Sequence, residues 1–112
     1  MFIYKTAWFF KYFAASWVSG IAIFPFILCK HAQLLENRRF INHERIHIRQ
    51  QMEMLVFPFF VWYAIEYIVR IIQFRNTHLA YKNISFEREA YSNENDDEYL
   101  TSRRFWSFLQ FV

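Results

Sequence analysis

Turn-making residues are scarce in this chain, with one glycine and two prolines in 112 residues. A sandwich or barrel of short strands needs a turn signal about every 8–12 residues, so the shortage argues for long helices instead. The single cysteine, Cys29, excludes an internal disulfide and supplies no redox pair. A dense Lys/Arg cluster is missing, as is any nucleic-acid-binding motif, so no nucleic-acid partner is expected. Internal repeats are also absent, and the length fits one domain, residues 1–112.

Apolar and aromatic residues are abundant. Fifty-five per cent of the chain is hydrophobic and 23% aromatic, including fifteen phenylalanines. The aromatics fall within helical and apolar runs, where they are expected to pack rather than to stack on bases. The composition predicts an all-α fold of four or five helices. The net charge of +3 is unevenly spread. Residues 1–82 carry ten Lys/Arg and four acids, or +6, whereas residues 83–112 carry three and six, or −3. Such asymmetry suits contact with an anionic membrane surface.

Two apolar runs bear on the membrane. Residues 12–29 form eighteen positions without a charge, flanked by Lys5 and Lys11 before and Lys30, Arg38 and Arg39 after. That length meets the threshold for a membrane-spanning helix. A signal peptide is the rival reading, but no A-x-A site closes the run, and Leu28 before Cys29 spoils a lipoprotein cleavage site. The run is therefore expected to be a retained anchor. Residues 54–72 form the second run and contain Glu66 and Arg70, spaced to pair across one helical turn.

The chemistry-bearing stretch is His43-Glu44-Arg45-Ile46-His47, which reads H-E-x-x-H. Residues four apart share a helix face, so His43 and His47 can offer two imidazoles to one metal ion. Glu44 then sits beside them as a base for a metal-activated water. The surroundings satisfy the helical condition. Residues 40–56 hold no glycine or proline and are rich in good helix formers. Asn42 is the expected N-cap. His43, His47, Gln50 and Met54 form one stripe, with Ile41, Ile48, Met52 and Leu55 beside it.

Catalytic zinc usually takes three protein ligands and leaves one position open. Cys29, His31 and His78 are available but lie in no suggestive pattern. Residues 84–98 read as a second helix, with Ser85 able to cap it and the carboxylates of Glu87 and Glu89 in its first turns. Acids there also complement the helix dipole without any metal.

H-E-x-x-H followed by a helix carrying E-x-x-A or E-A resembles the layout of gluzincin-type zinc metallopeptidases. The chain is also similar to a group of small, aromatic-rich, membrane-associated bacterial proteins with H-E-x-x-H-x-x-Q and F-E-x-E-A-Y blocks. The matching residues are His43, Glu44, His47 and Gln50, and then Phe86-Glu87-Arg88-Glu89-Ala90-Tyr91. The likeness covers roughly residues 40–100, and its specificity lies in those two blocks. The resemblance implies that Glu87, in the E-x-x-A form, is the third zinc ligand, with Glu89, in the E-A form, as the alternative. Families of this kind carry an aspartate near the alanine that orients a ligand histidine. Here Tyr91 holds that position, and Asn93, Asn95 or Asp96 are the polar residues available to replace it. Tyr91 is assigned instead to stabilising the oxyanion that forms as water attacks a carbonyl.

These readings combine into a membrane-associated zinc metallopeptidase that cleaves peptide bonds. Zn²⁺ would be held by His43, His47 and Glu87, with Glu44 and Tyr91 catalytic. The expected partners are a peptide or protein substrate and membrane lipid. A non-catalytic helical membrane protein, or a purely structural zinc site, is the alternative. As a helix, residues 54–72 would span about 28 Å. If they crossed the bilayer, His43 and Glu87 would lie on opposite faces, so a shared metal requires the chain to return, with a kink or break at Pro58. The expected arrangement is one anchor over 12–29, the H-E-x-x-H helix over 40–56, an in-plane or backing helix over 57–75, the glutamate helix over 84–98 and an amphipathic tail over 99–112. The basic stretch 30–49 would face the cytoplasm, at the bacterial inner membrane.

Overall fold

A computed structural model describes residues 2–13 and 17–112. The chain runs β1 (Phe2–Lys5), α1 (Ala7–Phe13), β2 (Gly20–Ile23), β3 (Phe26–Cys29), a 3-10 turn over Ala32–Glu36, and α2 (Arg38–Met54). It continues through α3 (Val56–Phe74), α4 (Thr77–Lys82), α5 (Ser85–Asn93), α6 (Tyr99–Ser102) and a second 3-10 turn over Ser107–Phe111. The fold is mostly helical, as expected, with a three-stranded sheet that the all-α expectation did not include. Its radius of gyration of 13.6 Å matches a compact domain of this length.

The sheet corrects the reading of the first apolar run. Residues 20–29 are not helical; they form β2 and β3, joined through a turn containing the cis Phe24–Pro25 bond. Residues 14–16 of the expected anchor lie outside the described residues. Strand order is β1-β3-β2, with β1 parallel to β3 and β2 antiparallel to it. Alternation along β3 buries Ile27 and Cys29 and leaves Phe26 and Leu28 on the other face, the period-2 pattern of a half-buried strand. Ile27 packs with Ala22 and with Ile48 of α2, joined by Ile3 and Phe40, which seats the sheet on the first helix of the site. Gln51 secures the edge of β2: its amide donates to the Ala22 carbonyl at 2.7 Å and accepts from the Phe24 N–H at 2.6 Å.

Helix α2 begins earlier than expected. Asn37 is its N-cap and accepts from the Phe40 N–H at 3.1 Å. Asn42 sits inside the helix and does a different job: its amide lies 3.0 Å from the carbonyls of both Glu94 and Asp96, capping the end of α5. The break between α2 and α3 falls at Leu55 (φ 67°), not at Pro58. Pro58 stands in the first turn of α3, where no intrahelical N–H is required. Arg75 ends α3 in the left-handed conformation, its N–H bonded to Ile71 O at 2.7 Å. Asn76 then caps α4 by accepting from His78 and Leu79. This short helix packs back along α3.

This return places α5 against the middle of α3. Glu66 supplies the cap at the start of α5, accepting from the Ser85 N–H and hydroxyl, each at 2.5 Å. Ser85 is therefore capped rather than capping. A core of Met54, Phe59, Ile84, Phe86 and Phe108 closes the second half of the molecule. The C-terminal stretch is not one amphipathic helix: Phe108 is buried in that core, whereas Phe105 is exposed. Helix α3 is long and apolar enough to cross a membrane. Among its residues only Phe59 is buried, and its outer face presents Phe57 (78% exposed), Val61, Ile65, Ile68, Val69 and Ile72 (73% exposed).

Candidate metal centre

The fold brings His43, His47 and Glu87 together from α2 and α5, all three buried. His43 Nε2 and His47 Nε2 lie 3.2 Å apart, and Glu87 Oε1 is 3.1 Å from the first and 3.0 Å from the second. Four-residue spacing on one helix sets the histidine pair. The cap from Glu66 and the packing of Phe86 under Phe59 set the position of Glu87. Cys29, His31 and His78 are not in this group: Cys29 is buried in the sheet, His31 is exposed, and His78 stacks on Trp17 at 4.7 Å.

The far side of each imidazole fixes what the near side offers. His43 Nδ1 is 2.7 Å from Glu94 Oε2, and His47 Nδ1 is 2.8 Å from Gln50 Oε1. Both partners are acceptors, so each Nδ1 carries the proton in the neutral ring and each Nε2 presents a lone pair. Two lone pairs and a carboxylate oxygen thus converge with no hydrogen between them, which is repulsive unless a cation sits there. Tetrahedral ligands about 2.05 Å from a zinc ion stand about 3.3 Å from one another. The observed triangle is close to that spacing, and its donor set is one that zinc accepts.

Without a metal, a proton takes the cation's place. Burial opposes charging His43, but its hydrogen bonds to Glu87 and Glu94 and the charges of Glu87 and Glu44 outweigh it and push the imidazole up to about 10. His47 is raised as well, against its burial, by Glu87. Burial acts to raise Glu87, yet the two histidines hold it well below the usual carboxylate range. Glu44, buried beside them, is raised by desolvation and held back by His47 and His43.

Glu94 is the residue that sequence reasoning missed. It stands two helical turns beyond Glu87 and takes the orienting role that Asn93, Asn95 and Asp96 were considered for. Asn93 instead donates to Glu89 O, and Asp96 contributes its backbone carbonyl to Asn42. Glu89, the alternative ligand, points elsewhere. It is fully buried, bonded to Gln50 Nε2 at 2.9 Å, to the Tyr99 hydroxyl at 2.6 Å and to the Arg103 guanidinium. Gln50 therefore joins the two carboxylate sites, holding His47 with its oxygen and Glu89 with its nitrogen.

The expected catalytic residues flank the triangle. Glu44 lies next to Gly20, whose missing Cβ would come 2.1 Å from Phe40 and 3.2 Å from Glu44 Oε1. A side chain at this position would force the Phe40 ring to move. Tyr91 is partly exposed, with its ring edge-on to His43 at 4.5 Å. Burial raises its pKa and that of Tyr81, to which it is hydrogen-bonded, so both hydroxyls keep their protons at neutral pH. Tyr63, from α3, donates to Glu87 Oε2 at 2.7 Å and leaves Oε1 for the triangle.

No protein-family model, curated protein or solved structure matches this chain. The functional case therefore rests on the geometry of the site.

Proposed function

We propose that this chain is a small, membrane-associated zinc metallopeptidase that hydrolyses peptide bonds. One observation carries the reading: three buried acceptor atoms, on His43, His47 and Glu87, converge within about 3 Å and are held there by Glu94, Gln50 and Tyr63. A zinc ion bound there would supply Lewis-acid polarisation and acidify water. Glu44 takes the proton from the attacking water and delivers it to the leaving amine, a role suited to a buried carboxylate whose proton affinity is raised. Tyr91, with Tyr81 behind it, supplies neutral O–H donors for the developing oxyanion. The H-E-x-x-H and glutamate-helix layout, similar to that of gluzincins, supports the same chemistry.

The membrane part of the proposal rests on α3. Its outer stripe of large apolar side chains is uncovered, and α2 before it packs against α5 after it. An in-plane seating on the bilayer would cover that stripe and keep the two histidines and Glu87 on one side. The basic stretch 30–49 assigns that side to the cytoplasm by the positive-inside tendency.

Elemental analysis tests the centre. We expect one zinc per chain after reconstitution, lost in His43→Ala and Glu87→Ala and retained in Glu44→Gln, which should cleave no peptide. A zinc-free wild type, or a Glu44→Gln protein that still cleaves, would overturn the reading. Liposome flotation tests the seating: Ile65→Glu with Ile72→Glu should release the protein, and unchanged flotation would refute it.

A further inference from the structure

Two cavities meet at Glu44. One, of about 200 Å³, is mixed in character, with Asn37, Arg39, His43 and Glu94 facing Leu34 and Phe40. The other, of about 310 Å³, runs from Glu44, His47 and Glu87 toward α3 between Phe59, Phe60, Tyr63, Tyr67, Trp17 and Ile21. An apolar cavity of about 150 Å³ takes a benzene molecule, so the second has room for an aromatic or branched side chain and the backbone attached to it. It lies at the lower end of ligand-pocket sizes, about 300–1,000 Å³.

The side-chain amide and hydroxyl groups in its wall are already engaged, the Tyr81 hydroxyl with Tyr91. Gln51 is spent on the β2 backbone, the Tyr63 hydroxyl on Glu87, and the Tyr67 hydroxyl on Thr77 O. An entering polar group would lose its water and gain little in return, which disfavours it. The acids Glu44 and Glu87 at the inner end further disfavour an anionic group. What remains on offer is ring and aliphatic surface, opening directly onto the base.

We propose that this aromatic chamber binds a bulky, uncharged apolar side chain of the substrate, such as Phe, Leu or Trp, adjacent to the bond that Glu44 serves. The assignment rests on the metallopeptidase reading and names its substrate class. The mixed cavity on the other side of Glu44, with Asn37 and Arg39 in its wall, then receives the continuing peptide backbone.

Two measurements separate the proposal from the reading beneath it. In the first, the full chain is titrated with N-acetyl-L-phenylalaninamide and N-acetylglycinamide and followed by ¹H–¹⁵N NMR, without metal. The phenylalanine amide should shift Gly20, Ile21 and Ala22 saturably and bind at least tenfold more tightly than the glycine amide. Val18→Trp, which adds bulk to the lining from the loop before β2, and Phe60→Ala, which removes a wall, should each lose that preference while keeping the wild-type far-UV circular dichroism. Equal binding of the two amides, shifts located elsewhere, or a folded variant with full preference would overturn the chamber assignment whether or not zinc binds. In the second, the zinc-reconstituted chain is given a mixed peptide pool and its products are sequenced. Cleavage beside large apolar residues supports the proposal, and cleavage beside Asp or Glu overturns it. A selective chamber in a chain that takes up no zinc would sink the metallopeptidase reading, and with it the substrate role, while leaving the apolar binding site itself established.

Discussion

Glu87 and Glu89 lie two residues apart on α5 and meet opposite electrostatic fates. Glu89 belongs to a closed cluster: Arg103, with no exposed side-chain surface, pairs with it and with Glu53 at 2.6 Å, while Gln50 and Tyr99 complete its shell. Glu87 belongs to an open cluster, in which its partners are two imidazoles that carry charge only when protonated. One buried carboxylate has its counter-ion in the chain, and the other leaves that place for something from solution. A buried acid on a helix is thus not enough to mark a binding site; the informative feature is an acid whose neighbours are acceptors too.

The largest effect is expected at the closed cluster. Arg103→Met would leave Glu53 and Glu89 buried without a cation, and breaking such a pair typically costs about 3–5 kcal/mol. Urea denaturation at pH 7 reads this directly. A loss under about 1 kcal/mol would mean that the cluster hydrates easily and that the contrast with Glu87 is weaker than the geometry shows.

The open cluster should respond to metal instead. Zinc at a hundredfold excess over its dissociation constant should stabilise the fold by about 2.7 kcal/mol, reversibly with a chelator, and not at all in Glu87→Ala. The metal-free protein should also show a pH signature. The folded-state value of His43, about 10, lies above its unfolded value of about 6.5. Its contribution is therefore complete below about pH 6.5 and is lost as pH rises toward 10. Glu87 is depressed, so its contribution is present above about pH 4.5 and is lost as pH falls below that. Zinc loading should remove the alkaline loss, because the metal binds the neutral imidazoles. Denaturation series with and without zinc at pH 6, 8 and 9.5 would check both signs.

The sequence made the open cluster more legible than the closed one. H-E-x-x-H is a local pattern, readable because four residues make about one turn, and Glu87 followed from the second block. Arg103 gave no such signal: it read only as part of the amphipathic tail over 99–112, and tertiary contact with Glu53 of α2 and Glu89 of α5 is what buries it. The apolar run over 12–29 misled for a related reason. Short apolar stretches do not distinguish strand from helix by periodicity, and the sheet was announced only by Gly20, Pro25 and the β-branched Ile21, Ile23 and Ile27. Asn42 was the expected cap because it precedes good helix formers, but Asn37 precedes them too and is the residue that caps α2. Glu94 was overlooked because its partner, His43, is fifty-one positions away.

Glu94→Ala probes how far the open cluster depends on orientation rather than on donors alone. All three donor atoms remain, but His43 loses the acceptor that fixes its tautomer. Removing such a partner typically lowers metal affinity 10–100-fold, which competition with a chromophoric chelator would measure. Glu89→Gln, which touches neither histidine, should alter zinc affinity far less and stability more. Equal zinc affinities in the two variants would mean that Gln50 couples the clusters strongly, through its bonds to His47 and Glu89.

The smallest expected effect is the one common to both clusters. Helix α2 carries His43 and His47 on one side of the comparison and Gln50 and Glu53 on the other, and Asn37 caps it. Asn37→Ala should cost about 1 kcal/mol by unsatisfying the first turn. His43 lies only six residues along, whereas Glu53 is near the far end of the helix. Fraying from the capped end would therefore reach the open cluster first. We expect hydrogen exchange in the metal-free variant to quicken from Phe40 to Glu44 while the amides near Glu53 keep their protection, and zinc to restore the former. Uniform acceleration along α2 would show instead that the helix opens as a unit, and that the two clusters stand or fall together.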